Sequence, residues 1–322
     1  MTDQWPARLH IVTGKGGTGK TTVAGALALA LARAGRRTLL VEVEARQGIA
    51  PLFGVGPLPY AERKVASAPA GATSTRGEVR ALAVDPEEAL LEYLDMFYKL
   101  GIAGRALQKL GAIDFATTIA PGMRDVLLTG KVKEATTRTE NGKRVYDAVI
   151  LDAPPTGRIG RFLNVTAETA RLAKVGPIKT QSDGVAAVLR SPITSIHVVT
   201  LLEEMPVQET ADAIAELTAL GMPIGRIIVN ATRAPLHTDG RITAAEMKRG
   251  LTATGLPTDK ATIAGLVQGT KDYLVRQGLE RSLRRDLSEI GRPMIELPFL
   301  PGGVDRAGLD QLATELTGAN AR

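Results

Sequence analysis

The chain has 322 residues, 40 Lys and Arg against 34 Asp and Glu, and 44% hydrophobic residues, enough for a sizeable core in one large or two modest globular domains. It has no cysteine and 3 histidines, which excludes disulfide scaffolds, thiolate zinc sites, thiol redox chemistry and thiolate metalloid binding, and leaves His10, His197 and His237 too scattered for a His-rich metal site. A formal charge of +6 and a pI near 9.6 would suit nucleic acid only with clustered bases and aromatic stacking platforms, but acids interrupt the bases, as in 280–286, and only 11 residues are aromatic.

In chain order, short runs rich in Val, Ile and Leu at 9–12, 38–43, 79–84, 146–151, 196–202, 226–229 and 294–297 read as strands, most of them separated by helix-like segments. Their hydrophobicity is continuous rather than alternating, so they are covered on both faces. This predicts an α/β fold: a doubly wound, mostly parallel sheet with helices on each side, as one domain over 1–322. The longest apolar stretch, 23–32, is about half the roughly 20 residues that cross a bilayer, so it predicts a buried helix and no membrane span. The first residues lack the basic-then-apolar build of a signal peptide, and a cytoplasmic protein is expected.

Two stretches break the strand–helix rhythm and predict a helical elaboration: 85 to about 133, possibly joined by 242 to about 290. The first opens with Asp85 as N-cap, Pro86 at the first helical position and Glu88 three residues on, as in a capping box. Leu90, Tyr93, Leu94 and Phe97 then share a face that Met96 and Tyr98 widen. That stripe suits core packing or, as the second choice, a groove for an apolar client helix. Residues 67–75, small and holding Pro69 and Gly71, read as a surface loop before the third strand.

Directly after the first strand comes Gly14-Lys15-Gly16-Gly17-Thr18-Gly19-Lys20-Thr21-Thr22, the P-loop pattern, followed by a stretch rich in Ala and Leu with high helix propensity. Glycines let the backbone wrap so that its N–H groups point at phosphate oxygens, and the following helix adds its positive end. The residues from Gly14 to Thr22 are therefore expected to bind ATP, with Lys20 on the β- and γ-phosphates and the Thr21 hydroxyl on Mg²⁺. Asp152 ends another buried strand, where a parallel sheet sets it beside the P-loop as a second Mg²⁺ ligand.

With Lys15 directly after the first glycine, GKGGTGKTT resembles the deviant Walker A motif of the dimerising ATPases: the arsenite-pump and tail-anchored-protein-targeting ATPases, the septum-site and partition ATPases and the nitrogenase iron protein. The resemblance implies that Lys15 reaches the partner subunit's nucleotide, where a positive group in trans stabilises transition-state charge. Asp152-Ala153-Pro154-Pro155-Thr156-Gly157-Arg158 is similar to the second switch, Asp-Thr-Ala-Pro-Thr-Gly-His, of the arsenite-pump and tail-anchor-targeting branch, with Arg158 in place of the His. Residues 204–210 resemble that branch's segment before its post-switch helix. Asn230 falls on its adenine-recognising Asn, and Pro298, Phe299 and Leu300 on its adenine-side loop.

Three departures qualify the resemblance. The zinc-binding Cys pair and the metalloid-binding cysteines are missing, and one ATPase unit is present rather than two in tandem, so a working site requires two chains, as a homodimer or with a paralogue. In the first switch, Asp-Pro-Ala-His-Asn falls on Glu44-Ala45-Arg46-Gln47-Gly48, which makes Glu44 the water-positioning carboxylate, one methylene longer. A misplacement of about 1 Å can slow a reaction roughly 10²-fold, so slow hydrolysis is expected. Strand alternation would put Glu42 on the same face as Glu44, and Glu42 ranks second because it lies deeper in the strand.

The resulting expectation is a dimeric Mg²⁺–ATP-hydrolysing ATPase whose nucleotide state switches helical segments, with Lys15, Lys20 and Glu44 as catalytic residues. The alternatives are a regulatory subunit of little turnover paired with a paralogue, and a partition-type ATPase associated with DNA.

Overall fold

A computed structural model describes residues 4–67, 77–98, 122–164, 177–235 and 242–318. Eight strands form one sheet in the order β10-β9-β8-β1-β7-β2-β4-β3. At its centre lie β1 (Leu9–Gly14), β7 (Ala148–Asp152) and β2 (Arg37–Glu42), flanked by β4 (Glu78–Ala83) on one side and β8 (Thr194–Thr200), β9 (Ile224–Thr232) and β10 (Met294–Pro298) on the other. These are the seven strands read from the sequence, and all of them pair parallel. Beyond β4, β3 (Arg63–Ser67) adds an antiparallel edge. A separate two-stranded ribbon joins β5 (Thr139–Glu140) to β6 (Lys143–Arg144).

Helices cover both faces, which is why the central strands are buried almost from end to end. The apolar stretch 23–32 forms the buried body of α1 (Lys20–Arg33), which packs with α10 (Arg306–Gly318) and the short α2 (Ile49–Leu52) over Val12, Leu40 and Ile150. Leu9, Ile11, Leu39, Val41, Val149 and Leu151 alternate to the opposite face. There they meet α3 (Pro86–Tyr98), α4 (Met123–Thr137), α5 (Thr156–Leu163), α6 (Pro177–Leu189) and part of α7 (Glu204–Ala219).

The start of α3 follows its sequence. The Asp85 carboxylate accepts the amides of Glu87 and Glu88 at 2.9 and 3.0 Å, and Pro86 is the first helical residue. Leu90 and Tyr93 are buried in the core beneath it, with Leu94 packed against that core. Of the predicted stripe, the side chains of Met96, Phe97 and Tyr98 lie outside the described residues, as does the loop 67–75 apart from Ser67, which ends β3. Of the second stretch, α8 (Ala244–Ala253) and α9 (Lys260–Glu289) pack on each other, and α9 also packs on α7. The Thr243–Glu246 capping box starts α8, and Asp259 caps α9.

Two histidines that look scattered in the sequence meet in the fold. His10 Nδ1 and His197 Nε2 lie 3.1 Å apart, both rings buried and flanked edge-on by Trp5. The Arg226 amide donates to His197 Nδ1 at 3.2 Å. Burial drives His10 down to about 3 and His197 well below its ordinary value. Both rings are therefore neutral at physiological pH, and with its Nδ1 accepting from Arg226, His197 donates from Nε2 to His10.

Candidate nucleotide site

The predicted phosphate loop joins the C-terminal end of β1 to the N-terminus of α1. Two of its glycines, Gly14 and Gly19, are required by contact as well as by conformation. Gly14 has φ 155° and Gly19 has φ 91°. A Cβ on Gly14 would collide with the Val199 carbonyl oxygen of β8, and one on Gly19 with the Asn230 amide. Gly16 and Gly17 stand exposed with open space around them, whereas Thr18 is buried and bonds the Lys15 carbonyl at 2.9 Å.

Lys20 and Thr21 open α1, where the helix presents its free amides, and Thr22 follows on the same turn. Parallel register sets Asp152 of β7 beside Val12 of β1 and Glu42 of β2. The Thr21 hydroxyl donates to Asp152 Oδ2 at 2.7 Å, while Asp152 Oδ1 is buried with no hydrogen-bond partner. Burial raises the Asp152 carboxyl to about 6, against the opposing pull of Thr21 and Lys20; Glu42 and Glu44 add to the rise. Lys20 is itself buried, which lowers its pKa although the charges of Asp152 and Glu44 support the protonated form.

The two first-switch carboxylates part company here. β2 ends at Glu42, so strand alternation does not reach Glu44. Glu42 is buried and accepts the amides of Gly48 at 3.1 Å and Ile49 at 3.5 Å. Glu44 lies in the turn beyond, with Arg158 at 3.7 Å from one oxygen and Arg46 at 3.8 Å from the other. Ala45 and Gln47 on either side of Arg46 have φ 55° and 54°, the left-handed region that costs non-glycine residues on the order of 1 kcal/mol or more. The Gln47 amide holds this turn by bonding the Leu58 backbone twice, at 2.7 and 3.0 Å.

Lys15 extends from the loop to Glu209 of α7 at 2.5 Å, and the other Glu209 oxygen accepts the Thr156 hydroxyl of the second switch at 3.0 Å. Lys15 chiefly holds the Glu209 carboxyl below its ordinary range. Glu209 went unassigned in the sequence reading, although it lies within the segment 204–210 that carried the resemblance.

Beyond the loop, Asn230 donates to the Thr18 carbonyl at 2.9 Å, so its Oδ1 is the atom left to accept. It lines a cavity of about 200 Å³ with Leu202, Arg233, Arg276, Glu280 and Phe299. Arg233 lies over the Phe299 ring at 4.6 Å. Pro298 ends β10 opposite Thr232, and Leu300 packs, partly buried, against the core cluster to which α1 contributes.

A phosphate-type loop between the central parallel strand and its helix, with an Asp on the neighbouring strand, defines a P-loop nucleoside triphosphatase fold. A family model described as anion-transporting ATPase matches residues 7–185. The chain therefore belongs to this ArsA-type family of anion-transporting ATPases. It is 50% identical to the ATPase BagA of Mycobacterium tuberculosis, over 99% of this chain and 96% of that protein. It is 26% identical to the ATPase GET3 of Kluyveromyces lactis, over 69% and 71% of the two chains. The arsenical pump-driving ATPase of Escherichia coli is 24% identical over 81% of this chain and 44% of its own length. Among the described residues no helix is long and apolar enough to cross a membrane.

Proposed function

We propose that the chain binds Mg²⁺–ATP in the loop from Gly14 to Thr22, hydrolyses it slowly as a dimer, and moves helical segments with the state of the nucleotide. The observation that carries this reading is Asp152 Oδ1, a buried and unpartnered carboxylate oxygen beside the Thr21 hydroxyl at the mouth of a phosphate-type loop. Thr21 and Asp152 fit Mg²⁺, which is commonly held by one or two protein oxygens together with substrate phosphates and water. Bound there, the ion would neutralise charge on the phosphate oxygens.

The chain's own groups supply the rest. The loop amides and the positive end of α1 grip the phosphates, and Lys20 pairs with the β- and γ-oxygens. Glu44 orients the attacking water, and Lys15, once released by Glu209, reaches the nucleotide of the second subunit. Asn230 Oδ1 accepts from the adenine amino group beside Phe299, with Pro298 stiffening the backbone there.

Coupling to the helices has a physical route. The segment after the first switch ends at Tyr60, which donates to Glu92 of α3 at 2.5 Å. Lys131 of α4 donates to the same carboxylate at 2.8 and 3.0 Å and lies over the Tyr60 ring. Glu62 next pairs with Arg138 and Tyr146. A displaced first switch would therefore pull on α3 and α4 through these partly buried polar contacts.

Calorimetry of ATP binding with and without Mg²⁺, followed by phosphate release against Lys20→Ala, tests the reading. Mg²⁺-dependent binding with release above that variant is expected; no binding by folded protein would overturn it. A second reading, a regulatory subunit of little turnover, is favoured by the contact of Lys15 with Glu209 of its own chain, and it predicts binding without release.

A further inference from the structure

We propose that Arg158 is a positioning residue for the reaction, holding the Glu44 carboxylate across the gap between the two switches. The inference rests on the reading of Glu44 as the group that orients water, and adds to it a residue with no assigned role.

Three observations carry it. First, the pair is geometrically suited to orienting a carboxylate without consuming it. Arg158 and Arg46 lie at 3.7 and 3.8 Å, one toward each Glu44 oxygen, close enough for Coulomb attraction and too far for hydrogen bonds. The oxygens keep their lone pairs for a water molecule. Glu42 contrasts with this, since backbone amides occupy both of its oxygens.

Second, Arg158 is anchored where Arg46 is not. Arg158 sits in the first turn of α5, its amide bonded to Pro155 at 2.8 Å and its neighbour Ile159 fully buried. Arg46 lies between the two left-handed residues of the switch turn, its side chain 71% exposed. A fixed backbone makes Arg158 the partner able to impose a direction.

Third, both positions are among those at which this chain departs from the switch patterns it resembles, Glu for Asp and Arg for His, and these two face each other across the switches. A carboxylate one methylene longer has one more rotatable bond to restrain, and a long cation from the opposite switch restrains it. The Arg158 side chain is 59% exposed and Glu44 17%. Such a pair contributes little to stability in open solvent, and its influence grows when bound nucleotide displaces water from the site.

The test uses the full chain with saturating Mg²⁺–ATP in single-turnover and steady-state assays. Arg158→Ala is expected to lower kcat by about 10- to 100-fold, the scale of a misplaced catalytic group, while Arg158→Lys recovers most of the rate. KM for ATP should stay within about twofold, and Arg158→Ala added to Glu44→Gln should change the rate by less than about twofold beyond Glu44→Gln alone. In nucleotide-free protein, hydrogen exchange of 43–58 should rise by up to about fivefold in Arg158→Ala, the scale of an exposed ion pair.

Multiplicative losses in the double variant, an unchanged kcat, or a raised KM at unchanged kcat would each overturn the positioning role, the last by making Arg158 a direct nucleotide contact. Wild-type protein with no turnover above Lys20→Ala would overturn this inference and the hydrolytic reading together. Turnover with independent losses overturns this inference alone.

Discussion

Replacing Asp152 with Asn removes a buried charge and keeps an oxygen to accept from Thr21, so it isolates what the ionised carboxylate does to the nucleotide-free protein. The Asp152 carboxyl rises from 3.8 to about 6, with burial as the largest cause. Because the folded pKa lies above the unfolded one, the folded state holds its proton more tightly. The ionised side chain therefore opposes folding as pH climbs from 3.8 through 6, and fully above that. At 1.36 kcal/mol per unit, a rise of about two units corresponds to roughly 3 kcal/mol at pH 8. For a chain of this length that is about 4 °C in Tm. Scanning calorimetry with a chelator should find Asp152→Asn more stable than wild type by that amount at pH 8, with the difference nearly gone at pH 4. Adding Mg²⁺–ATP should reverse the order, since the wild-type carboxylate then gains a partner that Asn cannot match. A variant less stable than wild type at pH 8 without nucleotide, or one whose gain ignores pH, would refute the idea that this oxygen is kept charged and unpaired for a ligand.

Wild type is expected to dimerise in sedimentation with a non-hydrolysable ATP analogue, and Lys15→Ala to stay monomeric there and to lower turnover by roughly 10³-fold, the lower end for a cation supplied in trans. An intact dimer with full turnover would remove Lys15 from the mechanism. Gly14→Ala should shift urea unfolding by about 1–3 kcal/mol, as for other overpacked sites, because its methyl meets the Val199 carbonyl within the β1–β8 pairing; an unchanged midpoint counts against the close approach. Tyr60→Phe should destabilise by about 1 kcal/mol, the scale of one net hydrogen bond, and raise hydrogen exchange at both 56–62 and α3. Exchange confined to 56–62 would mean that the switch segment does not pull on the helices.

The central parallel strands were legible because they lie between helix layers and are buried along most of their length, so the pattern needs no partner to be recognised. β3 was hidden by its place at the edge: Arg63 and Lys64 are exposed, and Ala66 is its one fully buried residue. The β5–β6 ribbon carried a signal that was passed over, Asn141-Gly142, whose φ values of 51° and 73° suit a tight hairpin turn. The cap of α3 was legible for the opposite reason, since Asp85 acts on amides two and three residues away.

The site divides along the same line. A P-loop is local, so nine consecutive residues disclose it, whereas Lys15 meets Glu209 across 194 positions that no spacing rule reports. The choice between Glu42 and Glu44 shows why this matters. From sequence, alternation along β2 made them equivalent in facing, and only depth ranked them. The chain leaves the strand at Glu42, turns through two left-handed residues and doubles back, so that Gly48 and Ile49 present their amides to Glu42 itself. One carboxylate thereby becomes the clasp of the first switch, with a backbone amide on each of its oxygens. The other is left at the site with arginines near both oxygens and hydrogen bonds to neither. The same turn creates both situations, which is why the proposed water-orienting role falls to Glu44 rather than to Glu42.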